Sequence, residues 1–305
     1  MESSPEEARV ILARAVEVIP QSVELWLALA RLEDPKQARG VLNKARKEVP
    51  TSHEIWIAAG RLIEQEAMKP GRDQKERQKE LDSIDRTIEA GVKALRQHQV
   101  LLTREQWMKE AEKCEVEGSP RTCEAIIKAT VAMEVEEEDR YDTWMADAEA
   151  ALARDQIGTA RSILAYALKV YPNKKALWRA AADLEKAHGT RYVECELQTL
   201  VRLFISFRES LDDLLTQAVR HCPQAETLWL MLAKEKWLAG DVPGARVVLH
   251  QAFDANLESE QIWLAAVKLE VENDELVAAR EILNRATTVA GTERVSRAVF
   301  EGVFC

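Results

Sequence analysis

The chain has 305 residues, a net charge of −10, and only 11 glycines and 9 prolines against 47% hydrophobic residues. So few turn-formers argue against a sheet-rich fold and for helices joined by short turns. The acidic balance excludes a broad phosphate-tracking surface and leaves only a local basic face open for nucleic acid.

The first helical text, Ala8-Arg9, belongs to a partial unit over 1–20, so the chain opens in mid-unit. Residues 21–50 make the model unit. Leu25, Trp26, Leu29 and Leu32 form one face of a first helix, and Ala38, Val41, Leu42 and Ala45 form one face of a second. Asp34 before Pro35 reads as an N-cap and N1 pair starting that second helix. Pro50 ends it, and Thr51 with Glu54 has the pattern of a capping box for the next helix. The following unit, 51–101, is long, with its excess around residues 69–80. Pro70-Gly71 marks a turn there, and the charged run after it predicts a solvated loop or the exposed start of a long helix. Units 102–132 and 133–172 follow, the second opening on an acidic run from Glu134 to Asp139 that predicts a solvated turn. Unit 173–222 carries an insertion at 192–207. Val193, Leu197, Leu200, Val201 and Phe204 have helical spacing, so an extra or extended helix is expected, with a mobile loop or a groove filler as alternatives. Units 223–257 and 258–290 are regular, and 291–305 is a partial unit ending in apolar residues. Neither end has the polar cap that solenoids need, which predicts a stretch cut from a longer array, or an atypical isoform.

Tryptophan recurs at Trp26, Trp56, Trp107, Trp144, Trp178, Trp229 and Trp263. The text Ala-Arg-x-x-Leu-x-x-Ala begins at Ala38, Ala160 and Ala245, and each time a tryptophan lies 17 residues after its arginine. A fixed offset within a recurring period marks a stacked-repeat protein. Each unit reads as helix, tight turn, helix, turn, and neither helix buries its apolar stripe without the neighbouring unit. The seven indoles are therefore expected in the core, filling space beside small alanines, and not stacked on nucleobases. Leu-Glu recurs at Leu32-Glu33, Leu184-Glu185 and Leu269-Glu270. With arginines such as Arg39 and Arg280 just beyond, it suggests Glu–Arg clasps between the two helices of one unit, or else solvated surface pairs.

Catalytic groups are sparse. The histidines His53, His98, His188, His221 and His250 are scattered, with no His-x-x-x-His and no glycine-rich phosphate loop. His221 beside Cys222 is not read as a nucleophile–base pair, because helical neighbours point apart. Gly189-Thr190 and Gly291-Thr292 read as turns. The five cysteines, Cys114, Cys123, Cys195, Cys222 and Cys305, include no Cys-x-x-Cys and fit reduced thiols in cytosol or nucleus. No secretory signal opens the chain and no apolar run reaches the ~18 residues of a membrane span, so a soluble intracellular protein is expected. No cofactor, metal, small-molecule substrate or membrane is expected as a partner.

Leu-Trp-Leu with Leu-Glu, followed by Ala-Arg-x-x-Leu-x-x-Ala and Pro, resembles the half-a-TPR (HAT) repeat; the tetratricopeptide pattern itself needs a Leu-Gly pair that is absent. Longer stretches resemble the HAT array of the pre-mRNA-processing factor 6 family: 233–246, Arg104 to Trp107, Glu137 to Arg140 with Thr143 to Met145, and 180–191. The resemblance implies an all-α, right-handed α–α superhelix, a solenoid of stacked hairpins forming one array over 1–305. It further implies a nuclear, non-enzymatic scaffold bridging proteins of the spliceosomal tri-snRNP, with other spliceosomal proteins as partners and RNA contact indirect. An RNA-binding repeat protein, and a HAT scaffold of another RNA process such as mRNA 3′-end formation, remain the alternatives. Candidate contact positions are the polar residues of the extended loop and of the acidic turn.

Overall fold

The computed structural model describes residues 5–69, 74–188 and 211–289, and every regular element among them is an α-helix. The chain divides into two compact units, Met1–Tyr166 and Ala167–Cys305. The first unit holds α1 (Pro5–Val18), α2 (Val23–Leu32), α3 (Pro35–Glu48), α4 (His53–Ala67), α5 (Gln74–Gln97), α6 (Arg104–Val116), α7 (Pro120–Thr130) and α8 (Arg140–Ala153). Helix α9 (Ile157–Val170) crosses the boundary. The second unit holds α10 (Lys175–His188), α11 (211–221), α12 (Glu226–Leu238), α13 (Val242–Ala255), α14 (Glu260–Glu272) and α15 (Leu276–Val289).

Consecutive helices pair as hairpins, α2 with α3, α4 with α5, α6 with α7, α12 with α13 and α14 with α15. Neighbouring hairpins meet through α3 and α4, α5 and α7, and α12 and α14. The alanines explain how close the helices come. Both alanines of the repeated text are buried in every copy: Ala38 and Ala45, Ala160 and Ala167, Ala245 and Ala252. A residue larger than alanine at these places would hold the helix axes apart. One apolar cluster in the first unit runs from Val16 of α1 through Trp26, Leu42 and Val49 to Ile55 and Ala59 of α4. Another in the second unit joins Trp178, Leu215, Leu228, Trp229, Leu249 and Ile262.

Local chemistry sets the helix ends, with two corrections. Pro35 does begin α3 behind Asp34, but the Asp34 side chain makes no cap bond, and its backbone carbonyl accepts from Ala38 N at 2.7 Å instead. The capping box expected from Thr51 and Glu54 is absent. The turn after Pro50 leaves Thr51 one residue outside the cap, Ser52 is the N-cap, and Glu54 falls at the second helical position, where the box needs the third. A complete box occurs at α6, where Thr103 Oγ1 accepts from Gln106 N and Gln106 Oε1 accepts from Thr103 N. The charged run after residue 73 is the start of the 24-residue helix α5. Its first turns present exposed Lys75, Glu76, Gln78 and Lys79, and its buried stripe begins only at Ile84 and runs through Ile88 and Val92 to Leu95. The expected helix over 192–207, the turns at 70–71, 189–190 and 291–292, and the apolar residues 298–305 lie outside the described residues.

Candidate partner-binding surface

Six of the seven recurrent tryptophans are buried, and Trp56 is half-buried. Burying an indole in a dry core costs stability unless its N–H finds an acceptor. At Trp26, Trp178 and Trp229 that acceptor is a proline carbonyl six residues earlier: Pro20 at 2.8 Å, Pro172 at 2.7 Å and Pro223 at 2.9 Å. Leu257 takes the proline's place for Trp263, and Trp144 reaches Val131 instead. Each such bond ties the first helix of a hairpin to the turn before it. Two of these carbonyls also receive a side chain from the next turn along. Cys222 Sγ donates to Pro172 O at 3.7 Å, and Asn256 Nδ2 donates to Pro223 O at 2.9 Å. Trp56 breaks the pattern. Its ring lies on the backbone of Gly91 and under the Arg46 guanidinium, and its indole nitrogen is buried with no acceptor.

Two carboxylates join hairpins at a second level. Glu64 on α4, almost wholly buried, accepts from Arg121 N, Thr122 N and Thr122 Oγ1 at 2.7–2.8 Å. Glu115 on α6 does the same for Gly158 N, Thr159 N and Thr159 Oγ1 at 2.6–2.8 Å. Each anion sits on the first turn of a helix in the following hairpin. It satisfies N–H groups that have no partner within their own helix and meets the positive end of the helix dipole. The expected Glu–Arg clasp does form at Glu270, but with Arg246 of the preceding hairpin and not with Arg280 of its own. Helices α13 and α14 run antiparallel, so the start of one lies beside the end of the other, while Arg280 is exposed. The carboxylate clasps leave no mark in the sequence, because most of their donors are backbone N–H groups.

His221 and Cys222 diverge. The imidazole stacks on Trp178 at 5.7 Å between ring centres, and the buried thiol turns to Pro172. His53 meets the Trp107 ring edge-on and lies 3.9 Å from Glu110. Burial pushes the Cys114 and Cys123 thiols up to about 12, so both stay protonated at neutral pH. Among the described residues no three His, Cys, Asp or Glu side chains converge as a metal site.

Among the described residues, the acidic-turn carboxylates named by the sequence are solvent-facing. In the acidic turn Glu134, Glu136, Glu137, Glu138 and Asp139 are exposed, and Glu134 accepts from Arg104 N at 3.2 Å. That turn borders a groove of about 630 Å³ with Arg104 and Glu105, and Arg104 is itself paired with Asp147. A second groove, of about 640 Å³, runs along α2 and α4. Leu27, Ala30, Ala58 and Leu62 line it, with charged Arg31, Arg61, Glu110 and Lys113 at its edges. A smaller apolar groove of about 240 Å³ lies between α12 and α14.

No protein-family model matches the chain. Curated relatives do, over part of it. The chain is 44% identical over 122 residues to pre-mRNA-splicing factor prp1 of Schizosaccharomyces pombe, covering 40% of this chain and 14% of that protein. It is 49% identical over 99 residues to human pre-mRNA-processing factor 6, covering 32% of this chain and 10% of that protein. It is 48% identical over 94 residues to Protein STABILIZED1 of Arabidopsis thaliana, covering 31% and 9%. The matched stretch is thus about a tenth to a seventh of these relatives' length. Among solved structures, a thermophilic TPR protein of Thermus thermophilus, TTC0263, matches at 15% identity and a TM-score of 0.36, covering 65% of this chain and all of that one. A human IFIT1 dimer matches at 15% and 0.38, covering 99% and 63%. Likeness at that level says nothing of activity. The sequence matches are of another order: over about a third of its length this chain is a homologue of the splicing proteins prp1 and pre-mRNA-processing factor 6.

Proposed function

We propose that this chain is a non-catalytic scaffold in pre-mRNA splicing that works in the nucleus and bridges proteins of the spliceosomal tri-snRNP. The observation that carries the reading is the 44–49% identity to splicing factors over 99–122 residues. Two features of the chain support it. Its helical hairpins are tied to one another by buried bonds, which gives rigid surfaces for holding other molecules. Its net charge of −10 disfavours general RNA binding and favours protein partners.

Affinity capture from nuclear extract tests this. The full chain serves as bait, in parallel samples with and without nuclease, and retained proteins are identified by mass spectrometry. The expected result is tri-snRNP proteins at equal yield in both arms. Retention that vanishes with the RNA contradicts direct bridging and favours the RNA-binding alternative. Recovery of 3′-end formation factors in place of splicing proteins favours the other. Direct titration with single-stranded RNA should show weak binding that falls further as salt rises.

A further inference from the structure

The groove between α12 and α14 is mostly apolar, where the two larger grooves carry several charged side chains. Its walls are Leu230, Ala233, Trp237, Leu249, Ala265 and Leu269, with Lys234, Lys268 and Glu272 on its rim, and it holds about 240 Å³, room for one large side chain. Trp237 is the eighth tryptophan and stands outside the recurrent series. It is half-buried on the wall, and its indole N–H makes no hydrogen bond among the described residues, unlike the tied indoles of Trp229 and Trp263 on the same two helices. One turn before it on α12, Lys234 is exposed at the groove's edge. The other lysines of these two helices are engaged, Lys236 with Asp212 and Lys268 with Glu272, whereas Lys234 has no carboxylate partner among the described residues. The groove therefore offers an apolar slot beside two donors, one of them cationic, that make no bond among the described residues, while Glu272 on its rim pairs with Lys268.

We propose that this groove is a docking site for a partner polypeptide that carries a large apolar side chain next to an acidic residue. The apolar side chain fills the slot, the carboxylate pairs with Lys234, and an oxygen of the partner accepts from Trp237 Nε1. Tryptophan is over-represented among residues that dominate interface energies, because it presents a large apolar face together with a donor. A single free lysine on an acidic chain selects a short acidic segment and is too little charge to track a nucleic-acid backbone. The inference rests on the scaffold reading only in requiring a protein partner. Its failure would remove this surface and leave the nuclear-extract result untouched.

The test uses the full chain labelled with ¹⁵N, observed through its indole N–H signals. That of Trp237 is assigned by its disappearance in Trp237→Phe. The probe is a short capped peptide with one phenylalanine flanked by aspartates. The controls are the same peptide with lysines for aspartates, and an oligouridylate. The aspartate peptide is expected to shift the Trp237 signal and leave those of Trp26, Trp144 and Trp178 in place. Its affinity should fall about tenfold in Lys234→Glu and at least as far in Trp237→Ala. Lys234→Glu changes an exposed position and keeps the fold, so its result stands even if Trp237→Ala is unstable. No shift with the aspartate peptide, equal binding of the lysine peptide, undiminished binding to Lys234→Glu, or the same shift with oligouridylate would overturn the proposal.

Discussion

At the scale of residues, the stack rests on large rings set against very small neighbours. Replacing Trp178 by alanine should cost about 3–5 kcal/mol in urea unfolding, since it empties a buried indole site. Trp178→Phe keeps most of the contact but leaves Pro172 O without its indole donor, and about 1 kcal/mol is expected from that loss alone. Glycine gives a sharper contrast. Gly40 and Gly91 both lie in helices, where alanine is ordinarily better by about 1 kcal/mol. A Cβ at Gly40 meets nothing within 4 Å, so Gly40→Ala should stabilise the protein. A Cβ at Gly91 would stand 2.7 Å from the Trp56 ring, so Gly91→Ala should destabilise it, and thermal melts of the two variants should shift in opposite directions. The cysteines supply a pH-linked case. Unfolded thiols ionise near their ordinary value of 9.0, while burial holds Cys114 and Cys123 protonated to about 12. Their contribution to stability is whole below the ordinary thiol range and is lost as pH rises toward 12. At neutral pH neither should react with iodoacetamide in the native protein, and both should react once urea unfolds it.

At the scale of elements, helices were more legible than the bonds that join them. Leu25, Trp26, Leu29 and Leu32 announce α2, because a 3.6-residue period places them on one face. The buried alanines of α3, α9 and α13 are equally plain, since the same eight-residue text recurs at each. Their second partners are not. Glu64 clasps the first turn of α7 across 58 residues, and its donors are mostly backbone N–H groups, which every sequence has. The Trp–Pro tie leaves a trace, a proline six residues before Trp26, Trp56, Trp178 and Trp229, yet Trp56 shows that the spacing does not compel the bond. The groove beside Trp237 hid because that tryptophan falls between members of the recurrent series. Glu64→Ala should strip the α7 N-terminus of its acceptor and cost about 1–3 kcal/mol. Lys75→Ala, on the exposed start of α5, should change stability by no more than about 0.5 kcal/mol. Urea denaturation of both variants checks the difference.

At the scale of the whole molecule, the proposed role needs hairpins that hold their places while other proteins bind. Each of the two compact units meets that need through its own buried alanines and indole ties. What the described residues present to their surroundings is grooves and charged turns. The claim beneath this is that indole N–H groups are locked to the turns and hold successive hairpins together. Hydrogen exchange of the eight indole N–H groups by NMR tests it directly. The indoles of Trp26, Trp144, Trp178, Trp229 and Trp263 should exchange orders of magnitude more slowly than that of Trp237. If those five exchange as fast as Trp237, the ties do not exist in solution and the account of the stack fails.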